Sequence, residues 1–358
     1  MQSLLYQKSV QRAILFLFVA ASVFWIGFVF GMGGVETAFE QDMRGFTLIL
    51  WAILLEALPF VLLGTVISSL IQVFVTEDMI LKIMPKNGFL RLVFAALIGL
   101  IFPVCECAII PITRRLLKKG MPTGPAIAFM LATPIVNPIV LFSTYSAFPG
   151  MPLMMPLRAA CGFAGAVLIG ALVSRAGGKS VLKQSEAHAC ACGHGHTHDA
   201  AACACGEGEH SPSPGVRGKW ATFKAVLSHT NAELQSVGMY LIFGAMIAAA
   251  MQIIVPTAVL TSIGGGRVLS IAVMMLLAFV LSLCSEADAF VASTFMLQFS
   301  GASVLAFLIV GPMIDIKNTM MMLGSFRKGF TVRLIMTILL VCFALALTAS
   351  FIIGGNYA

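Results

Sequence analysis

Residues 89–118 read FLRLVFAALIGLIFPVCECAIIPITRRLLK, and this stretch decides the fold class. Two apolar segments, 89–104 and 105–118, meet just after Pro103 at a Cys-Glu-Cys triplet. Each segment is shorter than the roughly 20 residues that a helix needs to cross a bilayer. Proline lacks a backbone N–H and tends to break a helix. The stretch therefore predicts a broken or re-entrant helical hairpin inside a membrane.

The composition of the whole chain is that of a membrane protein. Of its 358 residues, 59% are apolar and 10% are charged, whereas an ordinary soluble domain carries roughly 25% charged residues. We therefore expect an all-α, multi-pass protein of the cell membrane, surrounded by the lipid bilayer. The apolar segments lie at about 12–31, 46–75, 89–104, 105–118, 123–148, 151–175, 234–256, 267–285, 287–299, 302–323 and 331–354.

Charge and motifs narrow the function class. The formal net charge of +7 fits basic residues gathered in cytoplasmic loops. No basic stripe is interleaved with aromatic residues, so nucleic acid is not an expected partner. No phosphate-binding G-x-x-x-x-G-K-[ST] motif, nucleophile elbow or His-Glu-x-x-His motif occurs. The sequence thus predicts a transporter rather than an enzyme, with no required cofactor, and a homo-oligomer is compatible with it.

The chain contains an internal repeat. Shifting the numbering by 180 superposes Glu106 on Glu286, and closing a two-residue gap then superposes Asn137 on Asp315. The further matched pairs are Gly64 with Gly244, Gln72 with Gln252, and Pro134 with Pro312. The predicted domains are an N-terminal transmembrane helix with an outer loop at 1–45, a first membrane repeat at 46–176, a His/Cys-rich loop at 177–227 and a second membrane repeat at 228–358.

Loop charge predicts the orientation of the two repeats, because Lys and Arg gather on the cytoplasmic side. Basic residues flank the first hairpin at both ends, so that hairpin would enter and leave from the cytoplasm. The matching hairpin, 267–299, has only Arg267 nearby and would open outward. We therefore expect inverted repeats whose hairpins meet near the midplane, as in many transporters, with the N-terminus and the His/Cys-rich loop in the cytoplasm. In the alternative, every hairpin arm spans fully and nine or more helices result.

The first candidate site is the triplet Cys105, Glu106 and Cys107. A carboxylate deep in a membrane costs ~2.5–3.5 kcal/mol by insertion scales, so Glu106 should face a cavity or a partner. An unwound turn after Pro103 would point the two thiols to the same side, since alternate residues of an extended chain share a side. Paired thiols suit soft ions such as Cu(I), Zn(II) or trivalent arsenic. The alternative is that both cysteines only fill space in an apolar interior.

The second candidate site is the repeat mate of the first, Cys284-Ser285-Glu286-Ala287-Asp288. If the two hairpins face each other, Cys105, Cys107 and Cys284 would bind a metal ion. Glu106, Glu286 and Asp288 would then bind the ion or carry protons. The alternative is that these acids are neutral, hydrogen-bonded groups that fix helix packing.

Two proline-bearing segments, 133–138 and 311–318, form a third matched pair. Proline in a membrane helix frees carbonyl groups, which must find partners or line a cavity. Asn137, Asp315, Lys317 and Asn318 could supply these partners, and the first three are candidates for the transport pathway. Asp315 and Lys317 could also form an internal ion pair with no transport role. Glu56 could line the same pathway or lie near the lipid headgroups.

The His/Cys-rich loop concentrates imidazoles and thiols, which bind Zn(II) and copper ions well. Their spacing is too irregular for a zinc finger, so we expect a flexible chelator or sensor, with a low-complexity linker as the alternative. The candidate ligands are His188, Cys190, Cys192, His194, His196, His198, Cys203, Cys205 and His210.

Residues 102–140, FPVCECAIIPITRRLLKKGMPTGPAIAFMLATPIVNPIV, together with LCSEADAFVASTF (283–295) and VGPMIDIKN (310–318), resemble the predicted permease family that includes organoarsenical efflux permeases. The His/Cys-rich loop is similar to that of the branch assigned to copper and zinc efflux. The resemblance covers most of 46–354. It implies export of a soft metal or metalloid from the cytoplasm, with Cys105, Glu106 and Cys107 on the substrate path.

These observations lead to three hypotheses. The first is a secondary exporter of soft metal ions, Zn(II) or Cu(I), that is coupled to protons. The second is an exporter of trivalent organoarsenicals or another thiol-reactive small molecule, for which the loop would be incidental. The third is a membrane metal sensor that does not transport.

Overall fold

The computed structural model describes residues 38–74, 79, 84–85, 87–101, 106–175, 181–182, 219–254 and 266–354. The apolar segment 12–31 and all nine candidate ligands of the His/Cys-rich loop lie outside these residues. The first half of the described chain forms helices α1 (Ala38–Phe74), α2 (Gly88–Ile101), α3 (Glu106–Lys118), α4 (Thr123–Val136), α5 (Pro138–Ala147) and α6 (Met154–Arg175). The second half forms α7 (Lys219–Ile254), α8 (Arg267–Leu281), α9 (Asp288–Thr294), a 3₁₀ turn (Phe295–Leu297), α10 (Gly301–Met313), α11 (Ile316–Ser325) and α12 (Lys328–Gly354).

The described part of the chain is helical, and six of its helical stretches are long and apolar enough to cross a membrane. They are Met43–Ile71, Thr123–Ala147, Met154–Arg175, Val237–Ile254, Gly301–Ser325 and Lys328–Phe351. The prediction of an all-α, multi-pass membrane protein is confirmed. The hairpin arms α2 and α8 have 14 and 15 residues. At 1.5 Å per residue they reach only about 21–23 Å, which is less than the roughly 30 Å of a bilayer core.

The order of elements repeats along the chain. Each of α1 to α6 has a counterpart in α7 to α12 at nearly the same spacing, and α4 and α10 begin 178 residues apart, at Thr123 and Gly301. The second hairpin arm of each half also packs against the broken helix of the other half, since α3 contacts α11 and α9 contacts α5. The inverted orientation of the halves stays a prediction.

Two spans, α4–α5 and α10–α11, are each broken in the middle at a polar residue. Asn137 precedes Pro138, and its side-chain oxygen accepts a hydrogen bond from Ile139 N at 3.0 Å. Asp315 is the counterpart, and its Oδ1 accepts from Asn318 N at 2.6 Å. Each break lies three residues after a proline that is itself inside the helix. The polar side chains cap the helices that follow, because they bind backbone N–H groups with no partner inside the helix.

These two broken spans form the centre of the protein, and longer helices surround them. Almost every residue of α4 and α10 is buried, whereas α1, α6, α7 and α12 each bury only part of their surface. Large apolar side chains on the outer helices are exposed, as expected where a helix faces lipid chains; Leu55 on α1 and Leu340 on α12 are examples.

Two matched glycines let outer helices approach the centre closely. A Cβ built on Gly64 of α1 would lie 2.2 Å from Ala108 Cβ, at the start of α3. A Cβ built on Gly244 of α7 would lie 2.9 Å from Lys317 Cα, at the start of α11. Each glycine therefore allows an outer helix to pack directly against the start of a central helix that carries polar residues.

Candidate functional site

Glu106 is the first residue of α3 and only 1% of its surface is exposed. An acid in the first turn suits the positive end of the helix dipole. Its Oε2 accepts a hydrogen bond from Ser285 Oγ at 3.1 Å, and its Oε1 lies 4.0 Å from Lys317 Nζ. The start of α3 in the first half thus meets both Ser285, in the turn before α9, and Lys317, in the broken helix of the second half.

Glu106, Asp315, Lys317 and Asn318 form one buried group, which we call the Lys317 cluster. Lys317 Nζ lies 3.6 Å from Asp315 Oδ2, in addition to its 4.0 Å approach to Glu106. Charge-assisted hydrogen bonds are shorter, at about 2.7–2.9 Å. Among the described residues, Asp315 Oδ2 and Asn318 Oδ1 have no hydrogen-bond partner. The ammonium is therefore loosely shared between two carboxylates.

Arg158, on α6, forms a second buried ion pair that the sequence analysis missed. Its Nη2 donates to Asp288 Oδ2 at 2.8 Å and to the Ser285 carbonyl oxygen at 3.2 Å, while its Nη1 donates to Thr144 Oγ1 at 2.7 Å. Arg158 is fully buried. Its Nε and Asp288 Oδ1 have no partner within the described ranges. A single arginine inside an otherwise apolar segment was the signal that could have found it.

The turn that precedes α9 is fixed from several sides. Ser282 adopts a left-handed conformation with φ of 48°, and its Oγ accepts a hydrogen bond from Ile316 N at 3.1 Å. Gln252 of α7 donates from Nε2 to the Leu281 carbonyl oxygen at 2.8 Å. The segment from Leu281 to Ser285 therefore has polar partners on α7 and α11, besides Arg158.

Two of the three thiols predicted to bind metal lie near this group. Cys107 and Cys284 are both buried, and both lie within electrostatic range of Lys317. The Cys284 thiol donates a hydrogen bond to the Glu286 carboxylate. Cys105 lies outside the described residues. Within the described residues, no group of three His, Cys, Asp or Glu side chains is placed to hold a metal ion.

The expected unwound turn does not include Cys107. Helix α3 begins at Glu106, so Cys107 lies in the first helical turn rather than in extended chain. Successive helical side chains are about 100° apart, which allows Glu106 and Cys107 both to point inward. Both are buried. The sequence-based geometry, with Glu106 turned away from its neighbouring thiol, is therefore replaced by a helical arrangement.

The remaining predicted residues lie at different places. Asn137 is buried and caps α5, as described above. Glu286 is partly exposed beside Cys284. Glu56 lies on the exposed surface of α1, apart from the buried acids.

A small cavity adjoins the Lys317 cluster, with Glu106 and Asn318 as its polar walls. Its other lining residues are apolar: Ile109, Ile110, Met130, Leu131, Pro312, Met313 and Met322. It has room for about one water molecule or one ion. The cavity therefore gives Glu106 and Asn318 a place to contact a small ligand, next to Asp315 and Lys317.

When all of them are ionised, the acidic and basic groups at the centre do not balance. The buried acids of the described residues are Glu106, Asp288 and Asp315, and the buried bases are Arg158 and Lys317. Arg158 and Asp288 pair with each other, so the shortage of positive charge falls on the Lys317 cluster. A buried carboxylate without a counter-charge is costly in a membrane. The arrangement is suited to accept a cation.

Comparison with known proteins identifies relatives along most of the chain. A family described as predicted permease matches residues 42–351. The UPF0718 protein YcgR of Bacillus subtilis is 47% identical over 294 residues, which cover 82% of this chain and 92% of that protein. A putative two-component membrane permease complex subunit of Streptococcus mutans is 42% identical over 286 residues, which cover 80% of this chain and 88% of that protein.

More distant similarity is confined to part of the chain. The UPF0718 protein YraQ of Escherichia coli is 29% identical over 79 residues, which cover 22% of this chain and 23% of that protein. No solved structure matches the chain.

Proposed function

The chain belongs to the predicted permease family, and from that premise we propose that it exports soft metal ions, Zn(II) or Cu(I), from the cytoplasm. The ion would pass the buried site of Glu106, Cys107 and Cys284, where the two halves meet. Cys105 is a further proposed ligand. The observation that carries the proposal is an excess of buried acidic over basic side chains beside two buried thiols.

The chemistry of this site favours a cation with affinity for sulfur. Thiolates select Cu(I) and Zn(II), and carboxylates supply the negative charge that draws a cation into a membrane interior. Glu286 extends the set, because its carboxylate accepts from the Cys284 thiol. A neutral organoarsenical would bind the thiols but would not neutralise the excess negative charge of the acids.

Energy coupling would follow from the repeat. Inverted repeats with broken helices give alternating access around a fixed central site. The packing of α3 on α11 and of α9 on α5, each between the two halves, supports such a mechanism. The sequence favours protons as the coupling ion. Asp288 is the least suitable of the predicted proton carriers, since Arg158 holds its carboxylate. The His/Cys-rich loop would collect ions on the cytoplasmic side.

Flux into proteoliposomes tests this proposal. The full chain should move Zn(II) or Cu(I), and Cys105→Ala and Cys107→Ala should each lower the initial rate strongly. Cys161→Ala is the matched control, because Cys161 is a partly exposed thiol on α6. If only trivalent arsenicals are transported, the second hypothesis, an arsenical exporter, is favoured. If neither metal ions nor arsenicals are transported, the membrane sensor is favoured.

Removal of residues 188–210 separates the first two hypotheses further. A soft-metal exporter should lose efficiency at low ion concentration, because its cytoplasmic chelator is gone. An arsenical exporter should keep its rate. An unchanged metal rate in the deletion variant would show that the loop has no part in transport.

A further inference from the structure

The Lys317 cluster has the features of a second kind of cation site, made of oxygen rather than sulfur. Two of its oxygens, Asp315 Oδ2 and Asn318 Oδ1, are buried and have no hydrogen-bond partner among the described residues. Asn318 is only 2% exposed and lines the same small cavity as Glu106. Asp315 Oδ2 has only the Lys317 ammonium nearby, at 3.6 Å, and Asn318 Oδ1 has no partner at all within the described ranges. Buried polar groups normally form hydrogen bonds, so both oxygens can accept a ligand.

The charge of the cluster indicates the charge of that ligand. Glu106 and Asp315 carry two negative charges when ionised, and Lys317 carries one positive charge. Lys317 approaches both carboxylates at 3.6 and 4.0 Å without forming a close hydrogen bond to either. One further positive charge makes the cluster neutral. A monovalent cation supplies it, whereas a divalent ion would leave an excess of the opposite sign.

The donor atoms indicate the chemical class. Two carboxylates and an amide carbonyl are hard oxygen donors, which suit hard cations rather than Cu(I). The break between α10 and α11 adds the carbonyl end of α10, and such broken-helix ends bind Na⁺ in other transporter folds. The Asn318 amide matters most here, because a carbonyl oxygen accepts a metal cation but does not titrate.

We propose that Glu106, Asp315 and Asn318 bind one hard monovalent cation, represented by Na⁺, beside the Lys317 ammonium. Its use as the coupling ion rests on the proposed export function, and it would then replace the proton expected from the sequence. In the described part of the chain, ionisable groups within electrostatic range of Glu106 include Asp315, Lys317, Cys284, Glu286 and Asp288. Asp288 already has Arg158 as a partner, so it does not compete for the cation.

The test is the thermal unfolding midpoint of the purified full chain in detergent, titrated with NaCl. Choline chloride keeps the ionic strength constant, and a chelator removes soft metals so that the thiols stay unoccupied. A ligand that binds only the folded state raises the midpoint in a saturable way. We expect this rise with Na⁺ and not with choline, and Asn318→Leu and Asp315→Asn should abolish it.

Lys317→Gln provides an independent variant that should strengthen binding. It removes the competing positive charge, so the Na⁺ concentration for half the effect should fall by about ten-fold or more. The matched control is Lys328→Gln, which changes an exposed lysine at the start of α12 and should behave as wild type.

Three results would overturn the inference. The first is an unfolding midpoint that is equal in Na⁺ and choline for both wild type and Lys317→Gln. The second is an unchanged Na⁺ response of the midpoint in Asn318→Leu. The third is a midpoint that responds to pH but not to Na⁺. Metal flux separates this inference from the proposed function. Metal flux that needs no Na⁺ gradient would support export but contradict sodium coupling. Na⁺ binding without metal flux would contradict export and still support the cation site.

Discussion

The two buried ion pairs at the centre of the protein are built in different ways. Arg158 of the first half holds Asp288 of the second at 2.8 Å and also donates to Ser285 and Thr144. Lys317 of the second half only approaches Glu106 of the first, at 4.0 Å. Each half thus contributes one basic side chain that pairs with an acidic side chain of the other half. The comparison suggests that the first pair fixes the two halves together and that the second pair can exchange partners.

The internal repeat does not copy either pair. With the 178-residue offset of this part of the chain, Arg158 corresponds to Met336 and Lys317 corresponds to Ile139. Both counterparts are exposed apolar residues, at 63% and 52%. The repeat therefore supplies the backbone framework, and each half adds its own charges to it. We call Arg158 and Asp288 the tight pair, and Lys317 and Glu106 the loose pair. We expect the tight pair to be structural and the loose pair to be functional.

Removal of the tight pair should have the largest effect on stability. Arg158→Met leaves the Asp288 carboxylate buried and unpaired, which typically costs about 3–5 kcal/mol. We expect a large fall in the thermal unfolding midpoint of the full chain in detergent. Arg333→Met is the matched control, since Arg333 is exposed on α12 and its loss should change little. Wild-type stability in Arg158→Met would show that the pair does not hold the halves together.

Displacement of Lys317 should have an intermediate effect. Gly244→Ala would place a Cβ 2.9 Å from Lys317 Cα, so that α7 or α11 must shift. Overpacking of this kind costs about 1–3 kcal/mol, and we expect the transport rate to fall with it. Gly238→Ala is the control in the same helix, because nothing lies within 4 Å of its added Cβ. Equal stability and transport in both variants would contradict the close approach of α7 to Lys317.

Loss of the hydrogen bond that links the two pairs should have the smallest effect on stability. Ser285→Ala removes the donor to Glu106 but keeps the backbone carbonyl that Arg158 contacts. We expect a loss of about 1 kcal/mol in the free energy of unfolding together with a reduced transport rate. Chemical denaturation and flux measurements on the same preparation check both parts. A loss as large as that of Arg158→Met would mean that Ser285 contributes to the tight pair itself.

The sequence was sufficient to predict features that depend on local chemistry. Apolar length predicted the membrane class, and the spacing of Glu106 and Glu286 predicted the repeat of elements along the chain. The hairpin expected at Pro103 stays a prediction, since residues 102–105 lie outside the described part of the chain. The sequence also predicted that Glu106 lies near the turn before α9, where Ser285 donates a hydrogen bond to its carboxylate. The position of Glu106 could be predicted because a buried acid must have a partner.

Features that depend on long-range packing could not be predicted in this way. Arg158 and Asp288 are 130 positions apart, and only the packing of α6 against the second half brings them together. The turn geometry at Cys107 was wrong because an acid at the first helical position lets α3 begin at Glu106. The sequence left open whether Glu56 joins the pathway, and its exposed position on α1 follows from helix packing.

Transport by Glu106→Gln tests most directly the idea that the loose pair lies on the ion path. This substitution removes one of the uncompensated charges, so the full chain should keep its unfolding midpoint or gain slightly. The initial rate of Zn(II) or Cu(I) uptake into proteoliposomes should fall by about ten-fold or more relative to wild type. A folded Glu106→Gln protein that carries metal at the wild-type rate would contradict the account.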